Sequence, residues 1–548
     1  MLEIKDKVVY QIYPRSFMDS DGDGFGDLKG VTGRLDYLKD LGVDLLWLTP
    51  FFVSPQRDNG YDVADYRRID PRFGTMEDLE ELVAGAKEKG MGLMLDMVFN
   101  HTSTRHEWFQ RALRGEKEYQ DYYIFKDGSP DTPPTNWVSK FGGNAWEYVP
   151  SLKKWYLHLF DVTQADLNWE NPRVREELKD ILRFWKEKGI AGFRFDVVNL
   201  ISKADFEDAS EDDGRSHYTD GPKVHEYLRE MVADAGIGDM VTVGEMSSTS
   251  IDNCIRYAGE DAGELSMVFH FQHLKVDYKN GDKWSLMKPD LNALKTLFMD
   301  WQTAMQENHA WDALFWDNHD QPRALSRFGN EGEYRTASAK MLAGVLHLLR
   351  GTPYIYQGDE IGMANAHFHD ISRYRDVESR NYYEILRGQG CSEDEALSVI
   401  DERSRDNCRT PMQWNAEKNA GFTTGTPWID VNEDYKIVNA KAQNHDEKSI
   451  YSFYKQLIRL RKSKKVISHG RISFMETPDE VIAYVREWEG KKLFVYGNMS
   501  AKEMECRDPF AKGDLDWRLL IGNYGDTPTV KEGMLYLRPF EFAALELS

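Results

Sequence analysis

Apolar and polar positions along this chain follow two alternating periods. Runs that are apolar almost throughout, such as "VVYQIYP" (8–14), "DLLWLTP" (44–50) and "GLMLDMVF" (92–99), read as strands buried on both faces. Between and after them, apolar residues recur every three to four positions in "VTGRLDYLKDLG" (31–42), "TMEDLEELVAGAKEKG" (75–90) and "REELKDILRFWKEKG" (175–189). That spacing predicts helices with one face turned to a core. Five further strand candidates follow: "GFRFDVV" (192–198), "MVTVGEM" (240–246), "SMVFHF" (266–271), "ALFWDNH" (313–319) and "TPYIYQG" (352–358). Eight buried strands, most of them separated by helices, predict a parallel (β/α)8 barrel, in which chemistry belongs at the C-terminal strand ends.

The pattern breaks in three places. Residues 101–170, after the third strand, are too many for a βα loop and are rich in aromatics, Gly and Pro, which predicts an inserted domain. Residues 365–448 form a polar, helical excursion after the eighth strand, and "SIYSFYKQLIRLRKS" (449–463) then reads as the closing barrel helix. The barrel is therefore expected over 1–100 and 171–464. From 465 to 548 the period shortens to strand alternation in "RISFMET", "VIAYVREWE", "KKLFVYGNM" and "GMLYLRPFEFAALEL", which predicts a C-terminal antiparallel β-sandwich.

Composition narrows the partners. A net charge of −23 argues against nucleic acid or an anionic membrane surface, and any acidic substrate must meet a local cation. No run approaches the ~20 apolar residues of a membrane span, and the opening "MLEIKDKVVYQIYPRSF" lacks the apolar run of a signal peptide. Four scattered cysteines without a C-x-x-C suit a reducing, cytoplasmic setting. A monomer acting on a small molecule, with no organic cofactor, is the expectation.

Within "GFRFDVV", Arg194 and Asp196 share a face of the strand while Phe193, Phe195 and Val197 take the other. A charge on a buried face must be paired, so the two form either a structural ion pair or a carboxylate held ionised for chemistry. The other strand ends bring more polar groups: Asp96 with Asn100 and His101 on the third, Glu245 on the fifth, His319 and Asp320 on the seventh. So many carboxylates on one rim suit glycoside hydrolysis, in which one carboxylate attacks the anomeric carbon and one carboxylic acid protonates the leaving oxygen. Proton abstraction beside a carbonyl would use the same pair. Zinc is a weaker alternative, since no H-x-H or H-E-x-x-H occurs among these ends. Arg194 would keep Asp196 ionised, whereas Glu245 has no cationic neighbour in sequence and would hold a proton more easily.

Four strings, "DMVFNH", "GFRFDVVN", "VGEM" and "WDNHDQPR", resemble in order the signature regions of the α-amylase family of retaining α-glycosidases, over essentially the whole chain. The resemblance implies Asp196 as nucleophile, Glu245 as general acid/base and Asp320 as the residue that stabilises the distorted sugar. It also implies that His101, Arg194 and His319 line the same subsite. "NGYDVADY" resembles a further family motif, in which Tyr61 and Asp62 contact the sugar. "RDNCRTPMQW" resembles the segment of exo-acting α-glucosidases in which Arg409 partners Asp62 at the closed end of the pocket. Gln164 opens "QADLNWENP", which departs from the Q-P-D-L-N of typical oligo-1,6-glucosidases at Ala165.

The acidic run "DSDGDGFGD" places Asp19, Asp21, Asp23 and Asp27 at alternate positions around the Phe25 carbonyl, the first part of an EF-hand spacing. Its twelfth position is Gly30 rather than Glu, so a sensor site is not expected; related α-glucosidases imply a structural Ca²⁺. Val197 after the nucleophile goes, among relatives, with enzymes that do not prefer α-1,4 links. "DDGRSHYTDGPKVHEYL" (212–228), "VGEMSSTSIDNCIRY" (243–257) and "FQHLKVDY" (271–278) resemble members that cleave α,α-trehalose 6-phosphate to glucose and glucose 6-phosphate. Those segments hold Arg215, Lys223 and Lys275, of which Arg215 and Lys275 are the candidates for the phosphate. An oligo-1,6-glucosidase acting on isomaltose is the alternative. A sucrose isomerase would share the same three carboxylates. An inactive binding relative would be expected to lack one of them, and all three are present.

Overall fold

The structure, a computed structural model, describes residues 4–507 and 517–547. Residues 508–516, inside the expected C-terminal domain, and the terminal residues 1–3 and 548 lie outside the described residues. The barrel strands are β1 (Val9–Ile12), β2 (Leu45–Leu48), β3 (Gly92–Met97), β4 (Gly192–Phe195), β5 (Val241–Met246), β6 (Met267–His270), β7 (Ala313–Leu314) and β8 (Thr352–Tyr356). They form one sheet in the order β6-β5-β4-β3-β2-β1-β8-β7, which runs once around a (β/α)8 barrel. The pairs with resolved register are parallel.

The chain divides into two compact units, and the division falls within β2, after Leu46. Trp47–Phe271 with Asp376–Asn381 make one unit, which carries β3 to β6. The other holds β1, β7, β8 and the C-terminal strands.

In the first unit the helices obey their sequence signals. Met76–Glu88 starts with a capping box between Thr75 and Asp78, and Pro172–Glu187 starts on an Asn171 cap with Pro at its first turn. The segment after β3 contributes a three-stranded antiparallel sheet of Phe125–Asp127, Lys154–Leu157 and Trp146–Val149. Trp137, Trp146, Trp155 and Leu159 bury against Val197, Leu200 and Tyr218, which follow β4. An aromatic core thus fastens this segment to the loop that leaves Asp196.

In the second unit two expectations change. The helix expected over 31–42 is split into Leu28–Thr32 and Leu35–Leu41 at Gly33 and Arg34, because Asp27 caps an earlier start and glycine is a poor helix former. The seventh strand, expected over 313–319, pairs only at Ala313–Leu314. Beyond it the Phe315 carbonyl bonds the His273 ring at 2.9 Å, so the chain leaves the sheet five residues before His319. At the C-terminus a five-stranded and a three-stranded antiparallel sheet share one core of Val481, Tyr496, Cys506, Leu535, Leu537 and Leu545, which makes a β-sandwich.

Candidate active site

The first unit gathers three carboxylates around one arginine. Register places Arg194 of β4 opposite Asp96 of β3, and Phe195 opposite Gly244 of β5, next to Glu245. Arg194 Nη1 donates to Asp96 Oδ1 at 2.6 Å and to Asp196 Oδ1 at 2.7 Å. Its Nη2 donates to Glu245 Oε2. Glu245 has no cationic neighbour in sequence, but β4 and β5 lie side by side and Arg194 reaches across to it. The Arg194 side chain is 1% exposed, and the Trp47 and Tyr61 rings flank it at 5.1 and 5.9 Å. Three carboxyls on one guanidinium cannot all ionise cheaply in a buried site. Burial, opposed by Arg194 and reinforced by the charge of Asp196, pushes Asp96 up to about 7. Asp96 also accepts from Trp47 Nε1 at 3.1 Å and Tyr61 OH at 2.9 Å.

Directly after Asp196, Val197 takes φ 33° and ψ 40°. A β-branched residue in that left-handed region is strained, as happens where a site is held in one geometry. The Asp196 N–H bonds Met97 O at 3.0 Å, which ties the turn to β3.

Around the Asp96 edge of this cluster lie the other sugar-site candidates. His101 Nε2 sits 3.1 Å from Tyr61 O and 3.3 Å from Gln164 Nε2, and burial lowers its proton affinity. Gln164 donates to Asp58 Oδ2 at 3.0 Å. Asp62 accepts from Ser54 Oγ and from the Arg57 and Asp58 N–H groups at 2.9–3.1 Å, and burial pushes it up.

Asp320, in the second unit, has the opposite charge balance. Arg409 Nη2 donates to Asp320 Oδ1 at 2.6 Å, Arg405 Nη1 stands 3.4 Å from the same oxygen, and His319 Nε2 is 3.5 Å from Oδ2. Burial alone would raise this carboxyl, but His319, Arg405 and Arg409 together hold it well below the usual carboxylate range. Arg409 Nε also bonds His319 O at 2.9 Å. Gln11 Nε2 lies 2.8 Å from His319 Nδ1. The Tyr13 ring stacks on His319 with centroids 6.1 Å apart. Sequence reading missed Gln11, Tyr13, Trp47 and Arg405 as parts of the site. The first three stand in strand-like apolar runs, where a polar or amphipathic side chain was the one available signal.

The phosphate candidates separate. The Arg215 side chain is 56% exposed and lies 3.6 Å from Asp213, whereas Lys275 ends the turn Gln272–Lys275 and is half-buried. Lys223 is 48% exposed and bonds Glu170 at 2.9 Å.

Among the described residues, one group of acidic, His or Cys side chains is close enough to hold a metal: Asp19, Asp21 and Asp27, with oxygens within 4.8 Å of one another. Asp23 is not in that group; its Oδ1 instead accepts the Phe25 N–H at 2.7 Å. Gly24 is required there, because φ is 98° and a Cβ would lie 1.9 Å from Thr426 O. Burial raises Asp19, but bonds from Thr423 and the Gly22, Gly24 and Asp21 N–H groups outweigh it and keep the carboxylate ionised. An all-oxygen donor set fits a hard divalent cation such as Ca²⁺.

The model of the alpha-amylase catalytic domain matches residues 11–470. The chain is similar to the trehalose-6-phosphate hydrolase of Escherichia coli (strain K12), with 53% identity over 539 residues, 97% of each chain. It is 45% identical over 553 residues to an oligo-1,6-glucosidase of Bacillus cereus, covering 99% of each. Among solved structures, the trehalose-6-phosphate hydrolase of Bacillus licheniformis is similar at a TM-score of 0.95 and 49% identity, covering 100% of both chains.

Proposed function

Because the chain belongs to the α-amylase family, we propose that it is an exo-acting retaining α-glucosidase that hydrolyses α,α-trehalose 6-phosphate to glucose and glucose 6-phosphate. The observation that carries the chemistry is the shared guanidinium, with Arg194 bonded at once to Asp196 and Glu245. In the first step Asp196 attacks the anomeric carbon while Glu245 gives its proton to the leaving oxygen. In the second, Glu245 takes a proton from water, which displaces Asp196 with net retention. Asp320, held ionised by Arg409, Arg405 and His319, is proposed to stabilise the positive charge that develops on the sugar ring. Tyr61, Asp62, His101, Gln164, Arg194, His319 and Arg409 would bind the glucosyl ring, and Lys275 with Arg215 would meet the phosphate.

The higher identity to the trehalose-6-phosphate hydrolase than to the oligo-1,6-glucosidase, 53% against 45%, favours the phosphorylated substrate. We also infer that Asp19, Asp21 and Asp27, with the Phe25 carbonyl, would hold a structural Ca²⁺, which when bound would neutralise the crowded loop and take no part in catalysis. Residues 101–170 would act as an inserted domain on a barrel of 1–100 and 171–464, with a sandwich from 465. No helix among the described residues is long and apolar enough to cross a membrane. A doubly charged sugar phosphate does not pass a bilayer unaided, so the reading puts the enzyme, as a monomer, in the cytoplasm.

The test is glucose release from trehalose 6-phosphate, trehalose and isomaltose at equal concentration. A strong preference for the phosphorylated sugar is expected; faster release from isomaltose would overturn the substrate in favour of the oligo-1,6-glucosidase reading.

A further inference from the structure

We propose that Asn199, held by Asp220, is the positioning residue that fixes the acid/base Glu245 against the nucleophile Asp196; the proposal rests on the activity argued above. The ladder between β4 and β5 has its last register pair at Phe195 and Gly244, so it ends just where the two carboxylates begin. Past it the chain turns at Val197 into the short helical turn Val198–Leu200. Asn199 lies in that turn, fully buried, and its side chain takes over where the ladder stops. Its Oδ1 accepts the Ser247 N–H at 2.9 Å and its Nδ2 donates to Ser247 O at 2.9 Å. One amide thus engages both backbone groups of a single residue, the exchange that a hydrogen-bonded pair makes in an antiparallel ladder. Glu245 is thereby pinned toward β4 on both sides, by Gly244 before it and Ser247 after it. On its other edge β5 is held by β6, where Glu245 pairs with Phe269 and Met246 with His270.

The brace is itself held. Asn199 Nδ2 also donates to Asp220 Oδ1 at 3.1 Å, and the Asp220 N–H bonds Asn199 O at 2.9 Å. The Asp220 carboxylate accepts three further bonds, from Tyr257 OH and Asn253 Nδ2 at 2.7 Å and from Thr249 Oγ1 at 2.9 Å. Those donors stand on the loop and helix that follow β5, Asn253 and Tyr257 within Ile251–Ala258. Four bonds are about what one carboxylate can accept, and here they join the segments after β4 and β5 at one point. They also decide the amide's orientation: a flipped Asn199 would put its oxygen against the Ser247 carbonyl and the Asp220 carboxylate. Asp196 has separate support, through its N–H bond to Met97 O and the aromatic core around Val197. Loss of the brace should therefore displace Glu245 more than Asp196. Misplacement of a reacting group by about 1 Å can cost on the order of 10²-fold in rate.

The experiment compares Asn199→Ala and Asn199→Asp with the unaltered enzyme on trehalose 6-phosphate and 2,4-dinitrophenyl α-glucoside, with melting curves to check the fold. A sugar leaves only when Glu245 protonates its oxygen, whereas dinitrophenolate leaves without a proton and needs Asp196 alone. With Asn199→Ala, kcat/KM on trehalose 6-phosphate should fall about tenfold further than on the dinitrophenyl glucoside. Asn199→Asp keeps the acceptor for the Ser247 N–H but turns an oxygen toward Ser247 O and Asp220, and should show at least the same imbalance. Azide needs no base to attack the anomeric carbon and displace the Asp196 carboxylate. It should therefore raise kcat of the variants on the dinitrophenyl glucoside, and not that of the unaltered enzyme. Equal losses on the two substrates, or no loss on either, would overturn the proposal. An imbalance without the azide response would overturn it too, by assigning Asn199 to the leaving sugar instead. If neither variant folds, Asp220→Asn gives the same comparison: a smaller imbalance in the same direction supports the brace, and equal losses sink it. An unaltered enzyme that prefers isomaltose would overturn the substrate alone. Isomaltose, whose leaving sugar also needs the proton, then replaces trehalose 6-phosphate in the comparison.

Discussion

Asp96 and Asp320 are the same residue type in two differently charged settings. Asp96, in the first unit, shares a single guanidinium with Asp196 and Glu245 and is pushed up to about 7 by burial. Asp320, in the second unit, has Arg405, Arg409 and His319 around it and is held far below its ordinary range. Burial acts in the same direction on both. The ratio of cations to carboxylates decides which keeps its proton. Like carboxyl groups can thus be set to different proton affinities by rationing the positive charges among them.

The largest effects should come from removing the carboxylates on the shared guanidinium. Asp196→Asn and Glu245→Gln should each lower kcat by about 10³-fold or more, with melting temperatures within a few degrees of the unaltered protein. An Asp196→Asn enzyme with near-normal turnover would break the assignment of roles. Next, Arg194→Met leaves three buried carboxyls without their cation and should cost about 3–5 kcal/mol in urea unfolding. Arg409→Met leaves Asp320 with Arg405 and His319, so its loss should be clearly smaller. Equal losses would show that charge ratio is not what distinguishes the two regions.

Protons give a finer test, because the two aspartates should respond to pH in opposite senses. A carboxyl raised to about 7 binds its proton more tightly folded than unfolded, so between about pH 4 and 7 it makes stability fall as pH rises. The melting temperature of Asp96→Asn relative to the unaltered protein should accordingly climb over that range and level off above it. A lowered carboxyl contributes stability above about pH 4 and loses it as pH falls. The deficit of Asp320→Asn should therefore shrink on acidification. Parallel curves for the two variants would contradict the contrast. Buried His106, His273 and His347, each lowered to about 3 chiefly by burial, should add an acid-side loss of stability below about pH 6.5, common to every variant.

The smallest effect concerns the acidic loop. Chelation should lower the melting temperature by a few degrees, restored by Ca²⁺, and Asp21→Ser should abolish that response while leaving turnover intact. A protein indifferent to chelator would remove the ion from the account.

Much of this was written in local periods. Near-continuous apolar runs spaced by amphipathic helices determined the barrel, and the two-residue period of β4 put Arg194 and Asp196 on one face. Both signals need only neighbours in sequence. What the tertiary structure decided was which distant groups meet. Arg194 reaches Asp96 and Glu245, 98 and 51 residues away, through strand register that no local pattern encodes. That is why the neighbours of Glu245 in sequence gave no sign of the cation beside it. The early end of β7 depends on His273, 42 residues from Phe315, and the bonds of Asn199 to Ser247 span 48 residues. Even inside the acidic loop, even spacing did not fix the geometry. The loop's own N–H bonds turn Asp23 to the Phe25 amide, so that three of its four carboxylates converge.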